Sequence, residues 1–159
     1  MIEVSTDTLY ILAVDPGKIT GWATANVEDV TNPTAGEVDD RFRFARYFRQ
    51  AVGTGRVYEV VCEDFIISER TIRMAPDPNA LRLIGWLELE CEHLGIEFTL
   101  QAPAAAKGFA TDDKLKTLGW YENTPGGHRN DALRHLLRYM IAKHPHHASE
   151  ILNPFREED

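Results

Sequence analysis

The feature that most constrains the fold is a short apolar run that ends at an acidic residue and a sharp turn. Residues 9–14 are apolar and include the β-branched Ile11 and Val14, and Asp15-Pro16-Gly17 follows directly. A run this short, stopped by Pro-Gly, indicates a buried strand rather than a helix. The next run, residues 19–27, is expected to return antiparallel. Asp15 is therefore predicted at the end of a core strand, either as a turn-forming residue or as part of a functional site.

Composition is that of an ordinary globular protein. The chain has 159 residues, 43% of them hydrophobic and 26% charged, which is enough for one domain with a core. We expect a domain over residues 1–148 and a polar tail over 149–159. The net charge of −8 argues against non-specific coating of nucleic acid, although it allows local basic patches and an acidic metal site.

The sequence also carries expectations about location. No apolar run approaches the ~20 residues of a membrane-spanning helix, and residues 1–8 lack the basic region of a signal peptide. Cys62 and Cys91 are predicted to be buried thiols in a reducing compartment. We therefore expect a cytoplasmic protein that does not bind membranes.

Strand and helix patterns alternate along the first half of the chain. A loop is expected over Glu28–Gly36, with room for only a short strand. A helix is predicted from Asp39 or Asp40 to about Val52, although its Arg-Phe-Arg-Phe alternation also fits a strand. Val57–Phe65 is predicted to be a core strand. The apolar positions expected to face the core from the helix are Phe42, Ala45, Phe48 and Val52.

The second half is predicted to be mainly helical. A loop over Ile66–Asn79 leads into a helix that ends at Gly95, and residues 96–100 form a short strand. The last helix is expected to begin near His128 or Arg129 and to end before Pro145. The apolar stripe of the first helix is Ala80, Leu83, Ile84, Leu87, Cys91 and Leu94. That of the last helix is Ala132, Leu133, Leu136, Leu137, Met140 and Ile141.

Three carboxylates are candidates for a metal site. Strand periodicity places Glu63 and Asp64 on opposite faces. A parallel pairing of the two core strands would bring Asp15 and Glu63 together, and the last helix could add Asp131. Converging carboxylates suit Mg²⁺ or Mn²⁺, and two such ions can promote phosphodiester hydrolysis. The alternatives are a salt-bridged edge residue for Glu63 and a residue favoured by the helix dipole for Asp131.

Taken in order, these motifs resemble those of RuvC-type Holliday junction resolvases of the RNase H-like superfamily, most closely the phage-encoded members. The resemblance rests on Ile-Leu-Ala-Val-Asp15-Pro-Gly17 with Thr20-Gly21-Trp22, on Val-Cys-Glu63, on Pro103-x-x-x-Lys107 and on His128-x-x-Asp131-Ala132-Leu133. It implies an α/β, RNase H-like fold with a five-stranded mixed β-sheet flanked by helices on both faces. It also implies a homodimer and two Mg²⁺ ions per active site, which Mn²⁺ could replace.

The resemblance also implies roles for individual residues. Asp15, Glu63 and Asp131 would be catalytic metal ligands. His128 would occupy a fourth catalytic position, where it could bind a metal, orient water or protonate the leaving group. A helix-capping role is the alternative for His128.

Five residues are candidates for contacts with DNA. Lys107 could reach the scissile phosphate, with a solvated lysine as the alternative, and Arg70 and Arg73 are candidate phosphate contacts. The family inserts an aromatic residue into the junction shortly after its strand acid. Here that place is taken by Ile66, with Phe65 one residue earlier, so an apolar wedge is still available.

The sequence therefore predicts a Mg²⁺-dependent, structure-selective DNA endonuclease that acts on four-way junctions, flaps and forks. If the chain is phage-encoded, it would act in the host cytoplasm. The alternatives are a ribonuclease H-like nuclease for RNA–DNA hybrids and a non-catalytic module that binds branched DNA.

Two further patterns remain open. Trp86 and Leu89 fall outside the apolar stripe of their helix, which indicates either a homodimer surface or cover by a loop. His144, His146 and His147 follow the last helix and are expected to be solvated.

Overall fold

The computed structural model describes residues 8–74 and 77–152. Its strands are β1 (Leu9–Asp15), β2 (Thr20–Asn26), β3 (Asp29–Val38), β4 (Val57–Glu63) and β5 (Glu97–Gln101). Its helices are α1 (Arg41–Val52), α2 (Glu69–Arg73), α3 (Pro78–Leu94), α4 (Pro103–Phe109), α5 (Asp112–Thr117), α6 (His128–Lys143) and α7 (Ser149–Leu152). None of the helices in these described ranges is long and apolar enough to cross a membrane.

The five strands form one mixed sheet in the order β3-β2-β1-β4-β5. β1 lies at its centre, antiparallel to β2 and parallel to β4, and β5 continues the parallel half. β2 and β3 pair antiparallel. The predicted five-stranded mixed sheet is confirmed.

Each face of the sheet is covered by helices. Ile11 and Ala13 of β1 belong to a buried cluster with the apolar face of α6, whereas Leu12 and Val14 belong to a second cluster with α1 and α3. This alternation of apolar side chains on both faces is why the central strand is almost continuously hydrophobic. The predicted apolar face of α6 is confirmed, with Ile141 only partly buried.

Two predictions about the first half of the chain are corrected. The segment expected to be mostly loop contains β3, which has 10 residues and includes Pro33. Proline is tolerated there because β3 is an edge strand whose outer side needs no backbone donor. In α1, Phe44 and Phe48 are buried, whereas Phe42 is 59% exposed. The Asp40 carboxylate accepts hydrogen bonds from the backbone N–H groups of Phe42 and Arg43, so the helix begins as predicted. Its buried face includes Phe48 as predicted, but Phe44 takes the place expected for Phe42.

The second half also differs from its prediction in places. The expected loop after β4 contains α2, whose first turn is closed by a capping box between Ser68 and Thr71. Leu94 of α3 is exposed rather than part of the core. In the expected polar tail, residues 149–152 form α7, and Ile151 is buried against the core. Residues 153–159 lie outside the described residues.

His144 is not solvated as expected. Its Nε2 lies 3.3 Å from a carboxylate oxygen of Glu59, and the same carboxylate accepts a hydrogen bond from the Tyr139 hydroxyl. These contacts fix the C-terminal end of α6 against β4, towards the end of that strand opposite Glu63. His146 and His147 are exposed, as predicted.

A close backbone approach at Gly21 places α6 on the sheet. A Cβ atom at Gly21 would lie 1.9 Å from the carbonyl oxygen of His128 and 2.3 Å from its carbonyl carbon. Only glycine leaves room for the first turn of α6 against β2. The glycine after Thr20 in the sequence motif is therefore required by packing rather than by the conformation of a turn.

We predict that Gly21→Ala destabilises the protein by about 1–3 kcal/mol or more, since the clash involves backbone atoms that cannot rotate away. Urea unfolding of the two proteins measures the difference. Gly85→Ala in α3 is the matched control, because nothing lies within 4 Å of a Cβ atom there. It should be neutral or gain up to ~1 kcal/mol from helix propensity. Equal loss from both substitutions would contradict the proposed packing role.

Candidate active site

The predicted acidic residues meet at one edge of the sheet. β1 and β4 are parallel, with Val14 paired to Cys62, so Asp15 and Glu63 end neighbouring strands at the same edge. The first turn of α6 lies over this edge. Together they border a cleft of about 600 Å³. Its lining includes Asp15, Lys18, Glu63, Phe65, Asp77, Lys107, His128 and Asp131.

Asp15 is the most buried of the carboxylates. It is 5% exposed, and its Oδ2 lies 3.0 Å from Nδ1 of His128, which donates to it. Burial raises the pKa of the Asp15 carboxyl to about 6, the negative charges of Glu63 and Asp131 add to the rise, and the hydrogen bond to His128 opposes it. The same hydrogen bond raises the pKa of His128. The carboxylates therefore lie close enough to repel one another.

Asp131 pairs with two basic side chains that differ in their exposure. Its Oδ2 lies 3.5 Å from Nζ of Lys107, whose side chain is 53% exposed. Its Oδ1 accepts from Nε of Arg134 at 3.1 Å, and the Arg134 side chain is only 12% exposed. Arg134 also donates to the carbonyl oxygen of Ala110 at 2.6 Å and to the Asp112 carboxylate. Arg134 is thus a fixed partner of Asp131, and Lys107 is one that can move.

Glu63 has a buried partner that sequence analysis did not identify. Its Oε2 lies 2.7 Å from Nε2 of His135, and Nδ1 of His135 lies 2.7 Å from Oε1 of Gln101. The sequence does contain a signal for His135, because it lies four residues after Asp131 and seven after His128, on the same side of a helix. Gln101 ends β5 as Glu63 ends β4.

The N-terminus of α6 is capped by a side chain of β3, which is distant in sequence. The N-cap residue is Gly127, which has a left-handed φ of 68° and no side chain to cap the helix. Instead, Oε1 of Glu37 accepts from the backbone N–H of Arg129 and from the Thr124 hydroxyl, both at 3.1 Å. The structure thus gives the capping function to Glu37 rather than to His128, whose ring faces Asp15. No local sequence pattern connects Glu37 with a helix that begins 91 positions later.

The predicted DNA contacts lie in two places. Lys107 and Phe65 line the cleft. Ile66 follows Phe65 and is 51% exposed. Arg70 and Arg73 are exposed on α2, beyond the residues that line the cleft. The structure therefore gathers the four predicted catalytic residues and Lys107, and it places the two arginines on a neighbouring surface.

The donor set of the cleft fits divalent cations that prefer oxygen. Four carboxylates, those of Asp15, Glu63, Asp77 and Asp131, line the cleft together with the His128 imidazole. Burial, with a smaller effect from the charges of Glu63 and Asp131, raises the pKa of Asp15, so a bound cation would favour its ionised form. Across residues 8–74 and 77–152, no three His, Cys, Asp or Glu side chains already surround a point where an ion would sit. Binding an ion would therefore require side-chain movement, and Lys107 and His128 are the partly exposed members of the site.

Comparison with known proteins concerns the fold. No family model matches the sequence, and none of the curated proteins is significantly similar to it. Nine chains among solved structures do match. One of them is T. thermophilus RuvC in complex with a Holliday junction substrate, with a TM-score of 0.61 and 15% sequence identity. The match covers 85% of this chain and 95% of that chain.

The chain has a RuvC-like, RNase H-like fold. The predicted fold class is therefore confirmed. In this fold the central parallel pair β1 and β4 carries Asp15 and Glu63, and α6 carries His128 and Asp131. The phage origin implied by the resemblance stays a prediction.

The buried charge of Asp15 predicts how stability depends on pH in metal-free protein. Its pKa is raised from 3.8 to about 6 by folding, so its contribution to stability is complete below about pH 4 and is lost as the pH rises through 6. Asp15→Asn, which removes the charge, should raise the free energy of unfolding at pH 7 by roughly 1–3 kcal/mol. The advantage should disappear near pH 4.

Urea unfolding in EDTA at pH 7 and pH 4 tests this prediction. Glu28→Gln, at an exposed position in the β2–β3 turn, is the control and should change stability little at either pH. If Asp15→Asn were less stable than the wild type at pH 7, the buried charge of Asp15 would not be destabilising.

Proposed function

We propose that the protein is a divalent-metal-dependent, structure-selective endonuclease that hydrolyses phosphodiesters in Holliday junctions and other branched DNA. The observation that carries the proposal is the convergence of Asp15, Glu63, Asp131 and His128 on one cleft, with Lys107 at its margin. The fold shared with RuvC supports it, since that protein's structure holds a Holliday junction substrate.

Each residue has a part in this chemistry. Two divalent ions, when bound, would supply an activated water and stabilise the leaving oxygen. Asp15, Glu63 and Asp131 would hold them, and Mg²⁺ and Mn²⁺ are the ions that this oxygen-rich set favours. His128 is partly exposed and can carry a proton to or from the reacting oxygens. Lys107 can leave Asp131 and pair with the phosphate that enters the cleft.

The segment after β4 supports a role in binding branched DNA. Four large apolar side chains on it are between 51% and 70% exposed, namely Ile66, Ile67, Ile72 and Met74. Exposed apolar groups next to a nuclease cleft can insert where base stacking is already broken, as at a branch point. Arg70 and Arg73 on the same segment are available for phosphates, which places positive charge locally on a chain of net charge −8.

Two alternatives lead to different results in one assay. A ribonuclease H-like enzyme would cut RNA–DNA hybrids in preference to branched DNA, and a binding module would bind junctions without cutting them. Synthetic four-way, flap, fork and hybrid substrates, each tested with Mg²⁺, Mn²⁺ or EDTA, separate the three. The retained acidic set disfavours a pure binding module, because these charges oppose phosphate binding.

We predict that Asp15→Asn, Glu63→Gln and Asp131→Asn each abolish junction cleavage and retain junction binding. Each substitution removes a charged ligand with little change in volume. Cleavage and gel-shift assays in parallel measure both properties. Asp64→Asn is the matched control beside Glu63 and should cleave normally. If Asp64→Asn were inactive and Glu63→Gln active, the wrong acid would have been assigned.

His128→Ala should reduce cleavage by roughly 10²–10⁴-fold, the usual range for a proton-transfer role. His128→Asp should keep part of the activity, since a carboxylate could serve as a ligand in its place. Single-turnover rates across a range of pH values test this. Wild-type rates with an unchanged pH profile for His128→Ala would exclude a catalytic role.

We also propose that the protein acts as a homodimer, because two nicks on opposing strands require two active sites. Leu89 on α3 is 73% exposed and Leu81, two turns earlier on α3, is 42% exposed. Trp86 is partly covered, because its ring packs edge-to-face on Phe48 of α1 at 5.5 Å. Trp86 is therefore covered by α1 and not by a loop, which was one of the two alternatives from the sequence. Leu89, which is more exposed, is the better residue for testing an interface.

Leu89→Glu is predicted to weaken the dimer and to uncouple paired nicks on a junction, since it places a charge in an apolar contact. Sedimentation at micromolar concentration and nicking of a cruciform plasmid measure the two effects. Leu94→Glu, the same change about 140° around the helix, should leave both unchanged. A wild-type protein that stays monomeric on and off a junction would contradict the dimer.

A further inference from the structure

His135 is a fully buried polar side chain for which the proposed chemistry has no direct use. It lies on α6 at 0% exposure, among Leu133, Leu136 and Leu137 of the core. Burying an imidazole costs free energy unless its nitrogen atoms find partners. Both ring nitrogens of His135 have one, each at 2.7 Å: Glu63 on β4 and Gln101 on β5.

The hydrogen-bonding chemistry gives these two contacts a direction. An ionised carboxylate only accepts, so Nε2 of His135 donates to Oε2 of Glu63. Gln101 has both an acceptor oxygen and a donor amide group, so it can hold Nδ1 whichever protonation state the ring adopts. In the arrangement seen, its Oε1 faces Nδ1. The ring orientation is therefore fixed by groups on two neighbouring strands.

The contacts also place the two oxygens of the Glu63 carboxylate in different environments. Oε2 is tied to the core through His135, whereas Glu63 as a residue lines the cleft and keeps 17% of its side chain exposed. Within the described ranges, Oε1 has no hydrogen-bond partner among protein side chains. One oxygen is thus fixed and the other is left for a ligand in the cleft.

We propose that His135 and Gln101 are positioning residues that orient the Glu63 carboxylate for a divalent cation. This inference rests on the proposed function, because it assumes that Glu63 is a metal ligand. Neither residue touches the substrate. They restrict rotation of the Glu63 side chain before the ion binds, so that less side-chain entropy is lost on binding. Hydrogen-bonded partners of metal ligands typically change metal affinity or activity by ~10–100-fold when they are removed.

The test measures binding of Mn²⁺ alone to metal-free protein without DNA, by electron paramagnetic resonance of the free ion. His135→Leu fills the same space without a donor, and Gln101→Met removes the second contact at a partly exposed position outside the cleft. We expect both variants to raise the Kd for Mn²⁺, by ~10–100-fold for His135→Leu and by less for Gln101→Met. His135→Gln, whose amide can still donate to Glu63, should restore most of the affinity.

A second measurement separates positioning from simple structural damage. The Mn²⁺ concentration that gives half-maximal junction cleavage should rise by the same factor as the Kd, and junction binding in EDTA should stay unchanged. His144→Leu is the matched control. It removes another contact between an α6-end histidine and a β4 glutamate, that to Glu59, at the far edge of the sheet. It should lower the unfolding midpoint without altering the Mn²⁺ dependence.

The possible outcomes are distinct. A wild-type protein that cleaves and binds Mn²⁺, with His135→Leu and Gln101→Met showing the same Mn²⁺ affinity, would overturn the inference and leave the proposed function intact. If His135→Leu does not fold, Gln101→Met decides by the same criterion. A wild-type protein that neither binds Mn²⁺ nor cleaves any branched substrate would overturn the proposed function, and the inference with it.

Discussion

The cost of burying an acidic residue next to two other carboxylates, at the ends of the central strands, is the constraint on which the site depends. Asp15 is almost fully buried, and the nearby charges of Glu63 and Asp131 add to the cost of ionising it. A fold that brings such groups together must give each of them a partner. It does so with His128 for Asp15, His135 for Glu63, and Lys107 with Arg134 for Asp131.

Three of these partners come from a single helix, so the position of α6 decides whether the site exists. Its apolar residues fill the larger buried cluster on one face of the sheet, which fixes the helix laterally. Gly21 allows its first turn to approach β2 at backbone distance, and Glu37 supplies the hydrogen-bond acceptor that its N-terminus lacks. The far end is fixed by His144 on Glu59. The polar turn that forms the site is thus held by contacts outside the cleft.

Much of this could be predicted from sequence because it follows from local pattern. The end of β1 at Asp15, the core strand that carries Glu63 and the helix that begins at His128 all follow from apolar periodicity and turn residues. The parallel pairing of the two strands was a condition of the predicted site and not a result of that pattern. Three supporting residues could not be predicted in this way, because His135, Gln101 and Glu37 act across elements that are distant in sequence. β3 was missed for a related reason. Pro33 argues against an interior strand, and only the strand order shows that β3 lies at the edge, where proline is tolerated.

The side chains that pair with the three acidic residues fall into two groups that differ in burial. This difference explains how the site can be stable without a metal ion and still bind one. His135 is fully buried and Arg134 largely so, and each is held by a second group, Gln101 and Asp112 respectively. Lys107 and His128 are partly exposed and face the cleft. The Lys107 side chain is 53% exposed, and an ion pair this exposed contributes little to stability, so exchanging Lys107 for an incoming cation costs little. Buried pairs are costly to break, and therefore they keep the ligand oxygens in place while the cleft-side partners exchange.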